Sequence, residues 1–195
     1  MAIQNSTFNL SHVKVTGFEV ELGQVYNGKW AKRIAQKKLP DTDIMLYNKA
    51  VFVESKCKVF YHNLDKPGQR YSLTAKAVLR KTGRWREVHF VEGTPFILKA
   101  ALASDQNTAN ISELSLCEDV TLSGLIPQTF GRRLVREDED TMFDIILAER
   151  AGDTMADYVL KHAPADPTEF AKFIAAEILD EAKQHSEHII NIIIN

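Results

Sequence analysis

The stretch PDTDIMLYNKAVFVESK, residues 40–56, holds three carboxylates and ends on a lysine, at a spacing that could support hydrolysis. Asp41 and Asp43 precede a short apolar run, 44–47. A turn at Asn48-Lys49 follows, and a second apolar run, 50–53, leads into Glu54-Ser55-Lys56. Hard carboxylate oxygens suit Mg²⁺, which activates water and offsets charge on a phosphate. A different chemistry attaches to the cations from Lys56 onward. Lys56, Lys58, Lys76, Arg80, Arg84 and Arg86 are interleaved with Phe60 and Trp85. Basic groups contact phosphates and aromatic rings stack bases, which is how single strands are held. Lys29, Lys32, Arg33, Lys37 and Lys38 around Trp30 form a second basic-aromatic cluster. Glu181, His185 and His188 recur at i, i+4 and i+7, a spacing that could offer a Zn²⁺ face or simply a helix-face histidine pair. His62, His89 and Lys76 could imitate an acid-base ribonuclease set.

The elements that must position these groups are mostly short strands. HVKVTGFEVEL (12–22) alternates, with Gly17 as a candidate bulge. VFVESKCKVFYH (51–62) alternates, placing Cys57, Val59 and Tyr61 on one face and Lys56, Lys58, Phe60 and His62 on the other. NLDKPGQ (63–69) is turn chemistry. RYSLTAKAVLR (70–80) alternates again, and a hairpin turn at 81–84 leads to WREVHFVE (85–92). TPFILKAALA (94–103) and SELSLCEDVTLSGL (112–125) are expected to be further strands. REDEDTMFD (136–144) reads as a solvated loop or helix start. Asp153 could cap a helix over TMADYVLKHA. Asp166-Pro167-Thr168-Glu169 is a strong helix start, and the apolar spacing predicts an amphipathic helix over 167–188.

Keeping apolar residues on one side of the sheet pairs Lys58 with Lys76, Lys76 with His89, Phe60 with Thr74 and Arg80 with Trp85. The outer face then carries Lys56, Lys58, Phe60, Lys76, Arg80, Trp85 and His89. Like charges directly opposite one another are unfavourable, and a polyanion lying across them would relieve the repulsion. The competing reading is an ordinary solvated sheet face. The fold expected is α+β: an antiparallel β-sheet or small OB-like barrel, then a C-terminal helical segment. A basic β-rich domain is expected over 1–125 and an acidic, mainly helical segment over 126–195.

The hairpin layout of 40–56 resembles that of the PD-(D/E)xK nucleases, including the Pro40-Asp41 pair. The resemblance implies Asp41 or Asp43 and Glu54 as ligands to Mg²⁺. It implies Lys56 as the group that positions or activates the attacking water. The family usually adds an acidic residue from a preceding helix, whereas FEVELGQV reads as a strand.

Bulk properties frame these alternatives. The 195 residues are 45% hydrophobic and 26% charged, which is globular composition. The net charge of -2 hides an asymmetry. Residues 1–100 hold 17 Lys+Arg against 8 Asp+Glu, and residues 101–195 hold 7 against 18. A basic half suits a polyanion, although the two halves could also neutralise each other. Cys57 and Cys117 are far apart, no leader layout opens the sequence, and no apolar run is long enough to span a membrane. A cytoplasmic location is therefore expected. The expected function is binding of single-stranded DNA or RNA, without a cofactor. A Mg²⁺-dependent nuclease using Asp43, Glu54 and Lys56 is the first alternative. The second is an assembly or inhibitor protein. It would act through the acidic half and the tail residues Ile189, Ile190, Ile192, Ile193 and Ile194, which suit a partner or self-association.

Overall fold

Alternation of buried and open residues runs through the longest strands and turns them into one curved sheet. The computed structural model describes residues 8, 10–40, 50–82, 86–103, 109–117, 127–150, 164–173 and 175–176. Contacts divide the chain into two units. One is Met1–Glu118 with Pro127–Arg150, and the other is Asp119–Ile126 with Ala151–Asn195.

The elements of the first unit are β1 (Val13–Leu22), β2 (Val25–Asn27), α1 (Lys29–Lys38), β3 (Ala50–Phe52), β4 (Glu54–Asn63) and β5 (Arg70–Thr82). They continue as β6 (Glu87–Val91), β7 (Phe96–Leu102), α2 (Ala109–Cys117), β8 (Thr129–Arg136) and β9 (Met142–Glu149). Seven strands form an antiparallel sheet in the order β1-β4-β5-β6-β7-β9-β8, and β2 pairs with β3 separately. The sheet curls until its two edges meet as a nearly closed barrel. At the seam Arg133 Nε of β8 donates to the Phe18 carbonyl of β1 at 3.2 Å. Both seam strands carry a glycine at a register shift, Gly17 in β1 and Gly131 in β8. Such bulges sharpen the bend that closure needs. Gly131 has φ +146°, and the Phe18 ring lies 3.8 Å from where its Cβ would sit.

The core fills the barrel. Phe18, Cys57, Val59, Ala77, Val91, Leu98, Ile145 and Leu147 point inward from successive strands. Phe8 closes one end against Tyr61 and Phe96, with ring centroids at 4.8 and 5.3 Å. Phe52 of β3 closes the other, 5.1 Å from Phe143. Aromatic rings thus pack against one another at both ends of the core. In a second cluster Ala31 and Ala35 of α1 lie on Val51 and Leu79, and their small side chains let the helix approach closely.

Several expectations change. Residues 112–117, expected as a strand, belong to helix α2. Asn110 anchors it, donating from Nδ2 to the carbonyls of Asp144 at 2.8 Å and Lys99 at 3.3 Å. The acidic stretch 137–141 is the turn between β8 and β9, in keeping with the expected loop, whereas 142–144 belong to β9. Asp138 Oδ1 accepts from the backbone N–H of Asp140 at 2.9 Å and of Thr141 at 2.6 Å. Thus β8 and β9 complete the barrel within a segment expected to be mainly helical. The run 51–62 breaks at Val53, so Ala50–Phe52 and Glu54–Asn63 join different sheets.

In the second unit, residues 167–173 and 175–176 are helical. Asp166 caps that helix as expected, its Oδ1 accepting from the N–H of Thr168 at 2.9 Å and Glu169 at 3.0 Å. The helix proposed after Asp153, the Glu181-His185-His188 set and the isoleucines at 189–194 lie outside the described residues.

Candidate nucleic-acid interface

Strand parity sorts β4 and β5 into an inward apolar face and an outward polar one. Outward go Lys56, Lys58, Phe60 and His62 from β4. Arg70, Ser72, Thr74, Lys76 and Arg80 face out from β5. Lys56 stands directly opposite Lys76, and Lys58 opposite Thr74. The expected register is displaced by two residues, an even number, so the faces survive although the partners change. Lys56, Lys58, Phe60 and Lys76 therefore share one face, as anticipated, while Arg80 is exposed at the register shift between Leu79 and Lys81.

Phe60 is the aromatic centre of this face. Lys58 Nζ lies 5.1 Å and the Arg70 guanidinium 4.4 Å from its ring centroid. Cations at that range are attracted by the ring quadrupole. Arg70, missed by sequence reasoning, belongs to the site because β4 and β5 bring His62 opposite it.

The sheet face is not purely basic. β1 sets Glu19 opposite Lys58 and Glu21 opposite Lys56, and Glu21 Oε2 lies 3.7 Å from Lys56 Nζ. Glu54 Oε2 accepts from Lys76 Nζ at 2.8 Å, while its Oε1 lies 3.8 Å from Lys38 Nζ at the end of α1. The hydrogen bond from Lys76 holds the Glu54 carboxyl below its usual range. Glu19, Val20, Glu21, Lys56, Lys58 and Thr74 line a shallow groove of about 400 Å³ across these strands. The carboxylates answer the like-charge problem at Lys56 and Lys76 from within the chain.

Next to this face, α1 exposes Lys29, Trp30, Lys32, Arg33, Lys37 and Lys38 and buries Ala31 and Ala35. Trp30 is 54% exposed, with the Arg33 guanidinium 5.3 Å from its ring centroid. In the sequence this stretch reads only as a basic-aromatic cluster, and the spacing of Ala31, Ile34 and Ala35 between the cations is the signal that would have marked the helix.

Two expected members of the face sit elsewhere. His89 is wholly buried and stacks on Phe52, with ring centroids 4.3 Å apart. It pairs with Leu79 rather than Lys76, because β5 and β6 are displaced by three residues from the expected register. An odd displacement turns His89 inward. Its place in the core also removes it from any acid-base set with His62. Arg86 is held under α2, where its guanidinium pairs with Glu113 and donates to Asn110 Oδ1 at 3.2 Å. Arg84, Trp85, Asp41 and Asp43 lie outside the described residues.

Of the nuclease set, Glu54 and Lys56 both face outward, but Glu54 is already claimed by two ammonium groups. A divalent cation at Glu54 would have to displace Lys76. Among the described residues, no cluster of three or more His, Cys, Asp or Glu is placed to hold a metal ion. No described helix is long and apolar enough to cross a membrane. Comparison of the chain with protein-family models, with curated proteins and with solved structures gives no match.

Proposed function

We propose that this protein binds single-stranded nucleic acid across the outer face of β4 and β5. The observation that carries the reading is Phe60, set between Lys58 and Arg70 on a face that also presents Lys56, Lys76 and Arg80. Lysines and arginines contact phosphates, while Phe60 and its stacked guanidinium offer planar surfaces to bases. A single strand suits this better than a duplex, because unstacked bases can reach a sheet-borne ring. Glu19 and Glu21 would limit affinity, so binding is expected to be salt-sensitive and modest. A nearly closed barrel is compatible with OB-like use of a sheet face, but the weight rests on the side chains.

The test is fluorescence anisotropy of a labelled single strand, titrated in chelator at several salt concentrations. Log K should fall linearly with log salt, by about 0.7 per phosphate contacted. Neutralising Lys58, Lys76 and Arg80 together with glutamine should weaken binding and flatten that slope. Unchanged affinity in this triple variant would sink the assignment.

A further inference from the structure

We infer that α1 is the main phosphate-contacting element of this interface, so that a bound strand runs from the β4–β5 face past Glu54 onto the helix. The inference rests on the single-strand reading above and assigns it a second, stronger contact.

The argument is one of uncompensated charge. The ten residues Lys29–Lys38 carry five cations and no acid. Three cations of the sheet face have acids against them: Lys56 lies near Glu21, Lys76 bonds Glu54, and Lys58 stands opposite Glu19. On α1 the described residues show one such partner, Glu54 at 3.8 Å from Lys38. Among the described residues, α1 is thus a run of five cations with little compensation, a place where a polyanion would be drawn.

An ordinary solvated surface mixes charges of both signs, which this helix does not. No acid stands in its first turn, and Lys29 there opposes the helix dipole. Lys29 thus weakens the helix start, whereas Lys37 and Lys38 in the last turn suit the dipole, and phosphates alongside would relieve the mutual repulsion of the five cations. Trp30, 54% exposed beside Arg33, gives the helix an aromatic face as well as charge. Glu54 marks the junction, since it touches Lys38 at the end of α1 and Lys76 in β5. The helix extends the track by about 15 Å.

The experiment runs two variants side by side, on the full chain and with the same labelled oligothymidine. One carries Lys32→Gln, Arg33→Gln and Lys37→Gln. The other is the sheet triple variant described above. Glutamine nearly matches lysine and arginine in helix propensity, so α1 should persist, and circular dichroism verifies it. The α1 variant should bind at least ten-fold more weakly near 0.1 M salt, with a salt slope shallower by about 2, as three lost contacts at 0.7 each require. It should lose more than the sheet variant. Trp30→Ala should lower affinity roughly five-fold or more at an unchanged salt slope, and Trp30→Phe should recover most of it. If the α1 variant binds like the parent while the sheet variant is weakened, the inference about α1 is overturned and the sheet-face reading stands. If the parent protein fails to bind even at low salt, both fall.

Discussion

The imidazole of His89 lies nearly parallel to the Phe52 ring, 16° between planes and 4.3 Å between centroids, and neither ring nitrogen is hydrogen-bonded to a described residue. Burial in this apolar stack lowers the imidazole pKa from 6.5 to about 3. The folded state therefore holds His89 neutral where the unfolded chain would take up a proton. Between pH 6.5 and about 3 the unfolded state binds more protons, so stability falls as pH falls through that window. At roughly 1.4 kcal/mol per pH unit, the loss between pH 6.5 and 5 should be about 2 kcal/mol. Urea midpoints at pH 7.5, 6 and 5 would measure it. His89→Leu should remove most of this dependence without loss of stability at pH 7.5. A variant as pH-sensitive as the parent would refute the assignment to His89.

Gly23 sits between β1 and β2, pressed against the backbone of Glu54. Its N–H donates to the Glu54 carbonyl at 3.0 Å, and a Cβ at this position would lie 2.4 Å from that same oxygen. Backbone cannot swing aside as a long side chain can. Gly23→Ala should therefore destabilise by about 1–3 kcal/mol, the usual range for overpacking. Thermal unfolding followed by circular dichroism is the check, and a melting temperature within a degree of the parent would show that the strands can part at little cost.

Glu54 restrains the cations on either side of it, so removing its charge should release them. Glu54→Gln should tighten binding of a single strand and steepen its salt dependence, in chelator and with Mg²⁺ alike. The nuclease reading requires the opposite, since Glu54 would then be a ligand whose loss abolishes Mg²⁺-dependent cleavage. Anisotropy alongside a cleavage assay separates the two. Weaker binding by the variant would mean that Glu54 contacts the nucleic acid rather than competing with it.

Some of this architecture was readable in the residues, and the failures share a physical cause. Alternation gave β1, β5 and β6, and Gly17 announced the bulge where the β1–β4 register shifts. Asp166 gave the start of its helix because capping is local chemistry. Pairing register is not local. A displacement of two at β4–β5 kept Lys58 and Phe60 outside, whereas three at β5–β6 buried His89. The shift between Leu79 and Lys81 in β5, next to a charged Arg80, has no glycine to advertise it. Strand β9 was hidden for another reason. Phe143, Asp144, Ile145, Ile146, Leu147 and Ala148 are all buried, so no alternation survives. Asp144, which should have marked the strand as half-open, is bonded to Arg132 at 2.7 Å. Arg86 was misplaced because a cation beside a basic face looks the same in sequence as one pinned beneath a helix.

The bond that closes the barrel seam joins residues 115 positions apart, Phe18 and Arg133. A chain growing from its N-terminus has β1 and β4 through β7 in hand long before β8 exists. Until residue 133 has been made, the outer edge of β1 has no β8 to cover it, and the inward face of the curl stays open to water. Such exposed edges recruit other chains, and contacts this distant in sequence slow folding because the intervening loop must close first. Barrel closure thus waits on residue 133, and until then the open edge and the uncovered inward face leave the nascent chain most exposed to aggregation.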